Sequence, residues 1–133
     1  MKNNLSDTIS ELKLQDFAVG NDIVFLPDFN ASFNELFQRK VYTPDEIEYC
    51  ERFDQPLLRY ASTWAAKEAV YKAVKQLYPQ ALAFKNIEII RSRIAGIPRV
   101  SLPGDLADLE ISLSITHDGD YACAIAIVKK RYD

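Results

Sequence analysis

Several things are scarce in this chain. It has one histidine, two cysteines and one tryptophan. A lone histidine, His117, rules out a metal site built from several imidazoles, though not a Ser-His-Asp triad. Cys50 and Cys123 form no C-x-x-C pair and have no histidine nearby, so zinc is not expected. Each reads as a small core or half-exposed residue rather than a disulfide partner. No apolar run is long enough to span a bilayer. The opening stretch, MKNNLSDTISELKLQDF, lacks the charged start, apolar middle and small-residue cleavage site of a signal peptide. A cytoplasmic protein is therefore expected. There is no internal repeat, low-complexity tract or linker, and 133 residues suit one domain with one core. Residues 1–15 read as an N-terminal extension and 16–133 as the domain.

Charge is unevenly spread. Residues 1–54 carry 11 acids and 5 bases, residues 55–104 carry 2 acids and 8 bases, and the rest returns to a net charge of -3. A basic middle in an acidic chain suggests a local anion site, while the acidic whole argues against a nucleic-acid surface.

The elements follow from periodicity and punctuation. FAVGNDIVFL (17–26) is apolar and β-branched, which predicts a strand interrupted at Gly20 by a break or bulge. Phe29, Phe33, Leu36 and Phe37 have helical spacing and predict a helix over 29–40. TPDE (43–46) is a capping box with Pro44 at the first helical position. It opens a short helix to about Phe53. Gln55-Pro56 starts a long helix that runs to about Tyr78, before Pro79. NIEIIRS and RVSL then read as strands joined through AGIP. LEISLSIT alternates Ile111, Leu113 and Ile115 with Ser112, Ser114 and Thr116, turns at HDGD, and returns as YACAIAIV. Strand, helices and then antiparallel strands define an α+β class.

The long helix poses the chemical question. Between Ser62 and Gln76 it carries Trp64, four alanines, Val70 and Val74, yet also Lys67, Glu68, Lys72 and Lys75. Glu68 and Lys72, four apart, would form only a surface ion pair worth about 0.2–0.5 kcal/mol if solvated. Among so many apolar neighbours, buried charges need partners. Asp22 is a second candidate, an acid set against an apolar strand, or else an Asx-turn residue after Gly20. Two carboxylates from separate elements, completed by water and substrate phosphate, is the usual Mg²⁺ arrangement. His117 reads as a turn residue or as a phosphate contact at a strand end.

In order along the chain stand GND with IV after it, VYTPDE, WAAKEAVYKA, GIP and SLSITHDGDYACAIAIV. Together they resemble the holo-(acyl-carrier-protein) synthase branch of the 4'-phosphopantetheinyl transferases, over about residues 17–128. The resemblance implies that family's fold, an antiparallel sheet packed on a long central helix. It implies transfer of phosphopantetheine from coenzyme A to a serine of an acyl carrier protein, releasing adenosine 3',5'-bisphosphate. Asp22 and Glu68 would bind Mg²⁺, Lys72 would neutralise a pyrophosphate oxygen, and a carboxylate such as Glu68, or a metal-bound water, would take the serine proton. Lys67, Ser114 and His117 would lie with the substrate. It further implies a homotrimer with sites between subunits. The chain differs from the family pattern in three places. Thr63 stands where many members have arginine, leaving Arg59 as the substitute nucleotide contact. Ile97 stands where a lysine is common. The helix after the first strand has few bases, only Arg39 and Lys40 at its end. These differences keep open a second possibility, a non-catalytic module that holds coenzyme A or a carrier.

Overall fold

The computed structural model describes residues 16–91 and 96–130. The extension expected over 1–15 lies outside them, as does part of the AGIP turn. The order is β1 (Phe17–Phe25), α1 (Leu26–Ser32), α2 (Glu35–Val41), α3 (Pro44–Glu51), α4 (Pro56–Leu77), β2 (Glu88–Arg91), β3 (Pro98–Ser101), β4 (Glu110–Asp118) and β5 (Tyr121–Lys129). Three strands form an antiparallel sheet in the order β1-β5-β4, and β2 pairs with β3 in a separate two-stranded ribbon.

α4 is the centre of the molecule. Its buried positions include Ala61, Ala65, Ala66, Ala69, Val70, Ala73 and Val74, on more than one side of the helix. The sheet answers with equally small side chains: Ala18 on β1 and Ala122, Ala124 and Ala126 on β5 are all buried. Small residues on both surfaces let helix and sheet approach closely. Gly20 marks the tightest point. A Cβ there would overlap the Ala69 carbonyl oxygen and crowd the Ala73 nitrogen. The expected bulge is absent, since the β1–β5 ladder runs unbroken from Phe17↔Lys129 to Phe25↔Tyr121. Gly20 is there for backbone approach, the other reason a strand tolerates glycine. Gly20→Ala should therefore destabilise the fold by about 1–3 kcal/mol, as overpacking does; a denaturant midpoint equal to that of the parent would contradict this packing.

The single helix expected over 29–40 is two. Asn34 adopts an extended conformation and its side chain accepts the Phe37 backbone N–H, capping α2. The break still lets Phe29, Phe33 and Phe37 meet, with ring centroids 5.5–6.0 Å apart. The Thr43 capping box forms as expected and opens α3. In the β4–β5 hairpin the turn is shorter than HDGD. His117 and Asp118 still pair, with Ala122 and Tyr121, and Gly119 turns the chain at φ 55°.

Cys50 is buried and Cys123 half-buried, and both are free thiols. Among the described residues no helix is long and apolar enough to cross a membrane.

Candidate active site

Asp22 lies on β1 two residues beyond the Gly20 contact, on the same side of the strand. Glu68 and Lys72 sit one turn apart on α4. The crossing of strand and helix brings the three together. The Lys72 ammonium lies 3.0 Å from Asp22 Oδ1 and donates to the Asn21 carbonyl at 3.1 Å. Glu68 shares a hydrogen bond with Asp22. Burial first, then the Asp22 charge and that bond, push the Glu68 carboxyl up to about 7, against the pull of Lys72. Near neutral pH the two carboxylates thus retain part of a proton between them.

Such a pair suits a hard divalent cation, which relieves the repulsion that the proton otherwise screens. Among the described residues no group of three or more His, Cys, Asp or Glu converges on one point. The protein offers two carboxylates and leaves the remaining positions to water and substrate oxygen. That donor set fits Mg²⁺.

Two cavities meet at Asp22. One, of about 390 Å³, is lined by Asn21, Lys72, Cys123 and Ile125. The other, of about 490 Å³, reaches Glu68, Asp28 and Ser32 and has an aromatic wall of Phe25, Phe29, Phe37 and Trp64. The first has a cation and the second has only acids among its charged residues.

The other sequence candidates lie elsewhere. Lys67, expected as a substrate contact, is fully buried. Its three donors go to Glu46 Oε1 at 2.8 Å, the Phe84 carbonyl at 3.0 Å and the Ile87 carbonyl at 2.7 Å. None is left for a ligand. Burial pulls its ammonium below the ordinary lysine range, and Glu46 works in the opposite direction. Glu46 also accepts the Thr43 and Ile89 backbone N–H groups, so the capping-box acid doubles as the counter-ion of the core lysine. This partnership spans 21 positions in sequence, and local pattern gave no sign of it.

Ser114 and His117 stand three apart on a strand of period two, and so on opposite faces of the sheet. Both are exposed. The Arg59 guanidinium stacks 4.0 Å over the Phe53 ring, near the start of α4. Nine residues of helix put it roughly 14 Å from Glu68 along the axis. Within one chain these three do not join the carboxylate pair. Sequence reasoning also passed over Asp28 and the aromatic wall, which come together only through the break between α1 and α2.

A fold and a site of this kind define a known class. The family model of the 4'-phosphopantetheinyl transferase superfamily matches residues 18–126. The chain is 35% identical to holo-[acyl-carrier-protein] synthase of Wolbachia pipientis, over 84% of this chain and 96% of that protein. It is 34% identical to fatty acid synthase subunit alpha of Saccharomyces cerevisiae, over 94% of this chain but only 7% of that much longer one. Among solved structures, the ACPS–CoA complex of Chronobacterium ammoniagenes superposes with a TM-score of 0.76 at 29% identity, covering 89% of this chain and all of that one. The chain belongs to the 4'-phosphopantetheinyl transferase superfamily, in its holo-(acyl-carrier-protein) synthase branch.

Proposed function

We propose that the protein transfers the 4'-phosphopantetheine arm of coenzyme A to a serine hydroxyl of an acyl carrier protein, releasing adenosine 3',5'-bisphosphate. The convergence of Asp22, Glu68 and Lys72 where β1 crosses α4 carries this reading, in a chain of this family. In the transfer a bond forms between the serine oxygen and the β-phosphorus of coenzyme A. The bond from that phosphorus to the bridging oxygen breaks, and the bisphosphate leaves. Catalysis of this kind is mostly positioning and charge neutralisation. Asp22 and Glu68 would hold Mg²⁺, which supplies neutralisation of the pyrophosphate oxygens. Lys72 is half exposed beside Asp22 and has room to turn its ammonium to a pyrophosphate oxygen. The Glu68 carboxylate, or a water on the cation, would accept the serine proton.

The same reading includes a homotrimer in the cytoplasm. The sheet face turned away from α4 supports self-association. Val19 and Ile23 on β1 and Ile125 and Ile127 on β5 are 44–63% exposed and adjoin one another. A contiguous apolar face of this sort is normally covered, and a second copy of the chain is the occupant we assign to it. A neighbouring subunit would bring His117, Ser114 and Arg59 to the nucleotide.

The test is intact-mass spectrometry of an apo acyl carrier protein incubated with the protein, coenzyme A and Mg²⁺. The expected result is a gain of one phosphopantetheine, abolished by a chelator. No gain with any of several carriers, together with calorimetric coenzyme A binding that is the same with and without Mg²⁺, would instead identify a non-catalytic binding module.

A further inference from the structure

The two cavities that meet at Asp22 differ in charge, and the difference points to the acceptor. The smaller one has Lys72 and Asn21 beside the carboxylate pair, a setting for the diphosphate of the donor. The larger one has no lysine or arginine in its lining. It has Asp22, Glu68 and Asp28, with Ser32 and the aromatic wall. Once a divalent cation occupies Asp22 and Glu68, one negative charge remains there, that of Asp28. Asp28 is exposed in the first turn of α1, and no base is paired with it among the described residues. The surface beyond does not reverse this sign nearby. α2 opens with Glu35 and presents an exposed Leu36, and its bases, Arg39 and Lys40, come only in its last turn.

We infer that the larger cavity receives the acceptor segment, and that Asp28 selects a carrier whose reactive serine is flanked by a basic residue rather than an acidic one. This inference rests on the transfer reading above. The aromatic wall of Phe25, Phe29, Phe37 and Trp64 gives apolar contact to the backbone around the serine. Asp28 stands exposed at its edge, where its charge acts on a flanking side chain within about a Debye length, ~8 Å at physiological ionic strength. A lysine or arginine beside the serine gains an ion partner. An aspartate or glutamate there meets a like charge, the cheapest form of discrimination between two otherwise equal partners. The aromatic wall alone would accept both. Asp28 is thus a specificity residue with no role in the bond-making step.

One acyl carrier protein made in two versions tests this, with lysine or with glutamate at both residues flanking the reactive serine. Transfer from coenzyme A with Mg²⁺ is followed by intact mass, and kcat/KM is compared. The parent protein should prefer the lysine carrier about tenfold or more, equivalent to about 1.4 kcal/mol. The preference should shrink as salt is raised, because the charges act over about a Debye length, ~8 Å at physiological ionic strength. Asp28→Asn should bring the ratio close to one and Asp28→Lys should reverse it. Equal rates on both carriers, or a preference that survives Asp28→Lys, overturns the inference and leaves the transfer reading standing. Transfer to neither version while another carrier is modified overturns the inference alone, and transfer to none of several carriers overturns both.

Discussion

Glu68→Gln should lower kcat/KM by about a thousandfold or more while the protein keeps its fold. The substitution retains the size of the side chain and removes the charge needed by a cation and by the serine proton. Loss of several kcal/mol of charge stabilisation in the transition state has this consequence, with about 4 kcal/mol corresponding to a thousandfold. Circular dichroism and thermal melting separate this from unfolding. In the absence of cations the variant should be no less stable than the parent at pH 8, because it removes one of two repelling carboxylates. The sign follows from the raised pKa. Between about 4.5, the ordinary value, and about 7, the folded protein holds more protons on Glu68 than the unfolded chain does. The metal-free protein therefore loses stability as pH rises through that window. Cation binding competes with the retained proton. Affinity for Mg²⁺ should weaken as pH falls below about 7, and binding there should release protons that calorimetry in buffers of different ionisation enthalpy can count. Full activity in Glu68→Gln would remove Glu68 from the mechanism.

Lys67→Met should act on stability, although Lys67 is the immediate neighbour of Glu68. It leaves Glu46 buried without its cation, and breaking a buried pair from one side costs about 3–5 kcal/mol. It also releases the Phe84 and Ile87 carbonyls from their donor. A shift of the denaturant midpoint with unchanged slope would report this. The double variant Lys67→Met/Glu46→Gln should recover part of the loss, because two neutral groups no longer face each other as a lone charge and its absent partner. At a temperature where Lys67→Met is still folded, its KM for coenzyme A should match that of the parent. A large rise in KM without loss of stability would return Lys67 to the substrate.

These two neighbours show where sequence is informative. Glu68, Lys72 and Asp22 were legible because motif order singled them out, and the structure brings them together. Lys67 belongs to the same motif, and nothing local distinguishes a lysine facing a ligand from one facing a buried glutamate 21 residues earlier. The long helix, the capping box and the final hairpin were legible because periodicity and caps act within a few residues. The helix expected over 29–40 failed on Asn34, whose side chain offers the backbone a local cap and so stops one helix to start another. Gly20 was recognised as special for the wrong reason. Bulge and close approach both call for glycine, and only the position of Ala69 on the facing helix separates them.

The pairing of β1 with β5 has a consequence for timing. Asp22 is made long before β5, and the strand that carries it finds its partner only at Tyr121–Lys129. β1 is an edge strand, joined by hydrogen bonds to β5 alone in its sheet. On the ribosome α4 can form with Glu68 and Lys72 in place, yet the first carboxylate has no ladder to hold it until the last strand emerges. Until β5 is made, the nascent chain therefore holds only part of the cation site in place. The carboxylate pair is completed late and at once, with the closing of the sheet.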